Sequence, residues 1–172
     1  MPCNLTKSFT LGCKEFAGGV AEIKIKALPI TEGDFTIGSG NVVTIAATSK
    51  TGWYRYQLRK EVASLTETAN VNTQNATLYY TDELKFYLEN FDSENSLELD
   101  LLSKNNVLVA IKTNAGKVFL MGLYNGAEVT SVQAQTGTAF GDKFGYDVTI
   151  QYKDTHPIYE ISLADYDTLT TT

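Results

Sequence analysis

EVASLTETANVNTQNATLYYTDELKFYLENFDSENSLELDLL, residues 61–102, is the stretch on which the fold turns. In its second half Leu78, Tyr80, Leu84, Phe86 and Leu88 fall on one face. Tyr79, Thr81, Glu83, Lys85, Tyr87 and Glu89 fall on the other, with the period of two that a pleated strand imposes. Upstream, Ala63, Leu65, Glu67, Ala69 and Val71 alternate with Ser64, Thr66, Thr68 and Asn70. A polar turn around Thr73-Gln74-Asn75 joins the two runs, so the pattern predicts a long antiparallel hairpin with one wet, mostly uncharged face. A short helix over 93–104 is predicted next. Asp92 or Ser93 supplies a cap, Glu94 suits the positive helix start, and Leu97, Leu101 and Leu102 form an apolar stripe that plugs an edge or end of the β core.

Outward from this stretch the signals are those of strands. VAEIKIKAL (20–28) turns Ile23, Ile25 and Ala27 inward and Glu22, Lys24 and Lys26 to solvent. A Gly- and Thr-rich loop at 29–40 leads to a short apolar strand at 41–49. Trp53, Arg55, Gln57 and Arg59 then alternate with Tyr54, Tyr56 and Leu58, a strand with aromatics on both faces, as expected between a core and a second surface. VLVAIK (107–112) and KVFLMG (117–122) form a hairpin across Thr113–Gly116, and Asn125-Gly126 marks another turn into AEVTSVQAQ. The glycine-punctuated loop 136–145 precedes YDVTIQYK, where Tyr146, Val148, Ile150 and Tyr152 alternate with Asp147, Thr149, Gln151 and Lys153. His156-Pro157 breaks that strand, and the chain then drifts into Thr-rich sequence.

The sum is eight or nine antiparallel strands and one flanking helix: a mainly β, two-sheet sandwich or barrel. At 172 residues the chain is expected to be one domain, 1–172, with 1–19 an N-terminal arm, 20–158 the β core and 159–172 a C-terminal tail. Ten Tyr, eight Phe and only three Pro fit that class. A net charge of −6 and a pI near 4.8 argue against a surface that grips nucleic acid, which needs clustered Lys and Arg. No run of about 18 apolar residues and no leader-like N-terminal segment occurs, so folding in a cytoplasm is expected. Cys3 and Cys13 are too few for a disulfide framework and read as two reduced thiols, with a Cys3–Cys13 bridge the alternative; no metal or cofactor is expected.

Catalytic signals are weak. His156, the one histidine, lacks a nucleophile with a local signature and reads as a turn residue. Asp82 and Glu83 are adjacent in a strand and point to opposite faces, so a glycosidase pair would need carboxylates from elsewhere. Asp82 shares the apolar face of Tyr80 and Leu84, where a carboxylate is expected either beside a lysine or arginine or at the sheet margin. FGDKFG lacks the strand-to-helix context of a phosphate loop. Trp53, Tyr54 and Tyr56 could stack sugar rings but suit core and interface better.

The ordered series CKEFAGGVAEI (13–23), YRYQLRKEVASLTET (54–68), the following strand and helix, and TGTAFGDKFGYDVTIQYKDTHPI (136–158) resembles the tail tube proteins of tailed phages infecting Bacteroidota. The resemblance implies a β-sandwich assembled into hexameric rings that stack into a hollow tube. Strands of all subunits would line a DNA channel, with no cofactor and no catalysis. Partners would be further copies of the chain and other virion tail proteins such as sheath, tape measure or terminator. The place would be the virion tail, assembled in the host bacterial cytoplasm, with no membrane involved. On this reading Ser64, Thr66, Thr68, Asn70, Thr81, Glu83, Lys85 and Glu89 face the lumen. Trp53, Tyr54, Tyr56, Phe140 and Phe144 are candidates for contacts between subunits. The arm before Gly18, the loop 29–40 and the segment 136–145 are candidates for contacts between rings. The alternatives are a tail terminator, neck or head-decoration protein, or a carbohydrate-binding module.

Overall fold

The computed structural model describes residues 7–11, 17–29 and 33–171. Cys3 and Cys13 lie outside them, as does part of the loop 29–40. Two sheets form a sandwich, and neither closes into a barrel. The opening hairpin is β5 (Ala63–Asn72) and β6 (Thr77–Glu89), paired in unbroken antiparallel register from Ala63↔Phe86 to Asn72↔Thr77. Its turn is held by the Asn72 side chain, whose Oδ1 accepts from the Gln74 and Asn75 amides at 3.0 and 3.1 Å. With β10 (Gly145–Asp154) and β9 (Glu128–Gln135) it makes a four-stranded sheet in the order β5-β6-β10-β9.

The larger sheet has the order β2-β3-β11-β8-β7-β1-β4. Its strands are β1 (Val20–Ala27), β2 (Phe35–Ile37), β3 (Val42–Ile45), β4 (Tyr54–Gln57), β7 (Val107–Thr113), β8 (Val118–Met121) and β11 (Tyr159–Ile161). Strand β7 explains why it is central. Val107, Val109 and Ile111 enter the core between the sheets, while Leu108 and Ala110 enter a second core on the opposite face. A continuous apolar run is the pattern of a strand covered on both sides.

The second core overturns the C-terminal tail expected at 159–172. Tyr159 and Ile161 lie in β11, a five-residue helix α2 (Leu163–Asp167) follows, and Tyr166 and Leu169 are buried against Trp53, Leu108 and Leu120. Lys24, expected in solvent, lies beneath this segment: its ammonium donates to the carbonyls of Tyr166 and Leu169 at 2.8 and 3.1 Å and sits 4.3 Å over the Tyr166 ring. The Tyr166 carbonyl also accepts from the Leu169 amide at 3.2 Å, and a cation at this helix end is well placed. Tyr166 completes the lock by donating its hydroxyl to Glu22 at 3.0 Å.

Helix α1 (Ser93–Lys104) forms over the expected residues, capped by Asp92, which accepts from the Asn95 amide at 2.7 Å. Its buried residues are Leu99 and Leu102, whereas Leu97 and Leu101 of the expected stripe are 62% and 47% exposed. A long-range polar anchor sets this phase. The Tyr146 hydroxyl donates to the Asp92 carbonyl at 3.0 Å and bonds the Ser96 hydroxyl, so the face carrying Ser96, Leu99 and Leu102 turns to the sheet. Leu99→Ala is therefore expected to destabilise the protein by about 2–5 kcal/mol in urea denaturation. Leu97→Ala should stay within about 0.5 kcal/mol of the parent; equal losses would contradict this phase.

Candidate functional site

Sheet pairing gathers all eight residues of the predicted wet face. Ser64 lies opposite Lys85, Thr66 opposite Glu83, Thr68 opposite Thr81 and Asn70 opposite Tyr79, with Glu89 further along the same side of β6. The other half of the face comes from β10 and β9, through Asp147, Thr149, Gln151 and Lys153 and then Ser131 and Gln133. The alternation of YDVTIQYK exposed those four β10 residues in the sequence, but not that β6 is their neighbour.

The face is polar and internally compensated. Lys85, the basic residue amid the hydroxyls, pairs with Glu83 at 2.5 Å, and Gln151 donates to the same carboxylate at 2.7 Å. These two hydrogen bonds hold the Glu83 carboxyl below its ordinary pKa. Asn70 donates to Thr81 at 3.0 Å, and Asp147 receives Gln135 at 2.7 Å and Lys143 at 3.0 Å. Glu89 pairs with Arg59. Each edge of this sheet is a long strand carrying one carboxylate, Glu67 on β5 and Glu128 on β9, and no Lys, Arg or Pro. Exposed edges usually carry such groups to block pairing with another chain.

The aromatic candidates separate. Trp53 is 1% exposed in the second core and donates its indole N–H to the Ser49 carbonyl at 2.9 Å. It has no surface for a neighbouring subunit or a sugar ring, which corrects its assignment to the interface. Tyr56 is partly buried, its ring packed edge-on against Phe86 at 6.5 Å between centroids. Tyr54, Phe140 and Phe144 are exposed, Phe144 at 6.1 Å from Phe91.

Asp82 departs from expectation. It is buried on the core side of β6 with no lysine or arginine beside it; its cross-strand neighbours are Glu67 on β5 and Tyr152 on β10. Its Oδ1 has no hydrogen-bond partner. Burial, reinforced by Glu67 and Asp154, pushes its pKa up from 3.8 to about 7. The folded chain thus holds this proton more tightly than the unfolded chain. Below about pH 4 the carboxyl is neutral in both states and has no effect; as pH rises toward 7 the unfolded chain ionises first, and native stability falls. Asp82→Asn is expected to match the parent near pH 4 and to exceed its stability by about 2–4 kcal/mol above pH 7. Urea denaturation across that range checks this, and a pH-independent difference would refute it.

Among the described residues no helix is long and apolar enough to cross a membrane, and no three His, Cys, Asp or Glu side chains are grouped to hold a metal ion. Comparison of the chain with protein-family models, curated proteins and solved structures finds no match.

Proposed function

We propose that this chain is a structural subunit of a bacteriophage tail tube, assembling into stacked hexameric rings whose lumen conducts DNA. The observation that carries this reading is the four-stranded sheet, polar on one whole face and bounded by two long edge strands that carry no Lys, Arg or Pro. Its strands alternate in direction, so β9 of one copy runs antiparallel to β5 of a second copy placed beside it in the same orientation. Such a joint uses two different edges, repeats without limit, and closes when the rotation per copy divides a full turn. Closure removes both open edges and joins the wet faces into one inner wall.

The wall has the chemistry a DNA conduit needs. Glu83, Glu89, Glu128 and Asp147 are matched in number by Lys85, Lys153, Arg59 and Lys143, and Lys85, Arg59 and Lys143 are each paired with one of those carboxylates. A lining of hydroxyls, amides and paired charges offers phosphates no cluster to hold.

Electron microscopy of the purified protein is expected to show hollow tubes or stacked rings, and hydrogen exchange is expected to show the β5 and β9 amides gaining protection on assembly. Persistent monomers, or edges that stay open in the assembly, would sink the reading; closed single rings that never stack would favour a terminator. Thr66→Lys with Thr68→Lys is expected to preserve fold and assembly but make tubes retain short duplex DNA at low salt and release it at high salt. Duplex that co-sediments no better than with the parent would place these residues elsewhere than the lumen.

A further inference from the structure

Loop 136–144 joins β9 to β10 and carries Phe140 fully in solvent. The loop is held in a defined shape. Asp142 Oδ2 accepts from the Thr138 and Ala139 amides, each at 2.8 Å, and the Asp142 amide donates to the Ala139 carbonyl at 3.1 Å. Gly137 sits at φ 66, where a Cβ would meet Asp142 Cβ at 2.4 Å. Phe140 is thus presented by a small, fastened turn, at the entropic disadvantage of an exposed ring in water.

At the opposite end of the same sheet is an open, largely apolar cleft of 570 Å³ whose lining includes Tyr79, Tyr124, Lys153, Asp154, Thr155 and His156. Tyr124 and Asn125 precede β9, and Lys153 to His156 close β10, so the ten-residue length of β10 separates loop from cleft. That is roughly 30 Å along the strand, too far for the fastened loop to reach the cleft of its own chain. One pair of charges is complementary across the gap. Lys153 has no ion-pair partner among the described residues, and Asp142 keeps Oδ1 free while its two amide hydrogen bonds hold the carboxyl below its ordinary pKa.

We infer that the Phe140 loop of one copy seats in the Tyr79–Tyr124 cleft of a second copy, Asp142 approaching Lys153, as the head-to-tail contact between successive rings. The inference rests on the tail-tube reading and names the contact that stacks one ring on the next. Loop and cleft sit at opposite ends of every copy, so each subunit gives one loop and receives one, and the contact propagates along the strand direction.

The test uses the full chain with Cys3→Ser and Cys13→Ser, adding Phe140→Cys and Thr155→Cys and a short bismaleimide. A ladder of linked chains running beyond the dimer is expected, because each copy bears both partners, and either cysteine alone should stop at the dimer. In parallel, Phe140→Asp is expected to leave thermal unfolding and single rings unchanged and to abolish stacking, seen by electron microscopy. Closed rings without a ladder, or tubes of normal length from Phe140→Asp, overturn the loop–cleft contact while leaving the ring intact. A ladder from a preparation that never forms rings supports the contact and overturns ring closure instead.

Discussion

Five consecutive residues of β7, Val107 to Ile111, have essentially no contact with solvent, and the rest of the architecture follows from covering them on both sides. Each buried Val, Leu or Ile side chain among them contributes roughly 1.5–3 kcal/mol, so leaving either face wet would cost much of an ordinary domain's margin. One side is met by the inner faces of β6 and β10, through Leu84, Phe86, Val148 and Ile150. The other is met by the C-terminal segment, where Tyr166 and Leu169 close over Leu108. Lys24 is drawn under that cover because the segment's own carbonyls supply the acceptors its ammonium would lose from water. Burial pushes the Lys24 pKa down, with Glu22 and Asp167 opposing the shift.

Because only the larger sheet is covered by a core on both faces, the smaller sheet is free to be two-sided. Its inner residues pack on β7 and its outer residues owe nothing to the core, so the outer face can be given wholly to hydroxyls, amides and compensated charge. Asp82 marks where that division is strained. A carboxyl placed on the inner side beside Glu67 and Asp154 is accommodated by keeping its proton, not by finding a cation.

Long alternating runs were the legible part of the chain. The hairpin of β5 and β6 is written in over twenty residues of period two, and its wet face could be named residue by residue. Strands of three residues, such as β2 and β11, are too short to show any period and gain their identity from neighbours distant in sequence. The helix was legible but its phase was not, because α1 is turned by Tyr146, some fifty residues away, bonding Ser96 and Asp92. The same limit hid Lys24, whose partners lie 142 and 145 residues further on. Trp53 reads from sequence as a core or interface aromatic, and the choice between the two is hidden because its cover is the C-terminal segment, whose Thr-rich composition gives no hint of packing. Half of the candidate site was therefore readable, the β5–β6 half, and the β10–β9 half became visible only through strand order.

The even number of strands in the smaller sheet has a further consequence. A unit of four alternating strands presents edges of opposite polarity, so copies added side by side never create a parallel seam, whatever their number. Strand direction then sets no limit on how many subunits a closed wall contains. In the proposed ring the bore would be left to the wedge angle between the two edges, a quantity governed by sheet twist and by the β9–β10 irregularity at Thr149/Ile150. Calibre would then be a property of curvature, adjustable by single residues, with the proposed hydrogen-bonded seam kept the same.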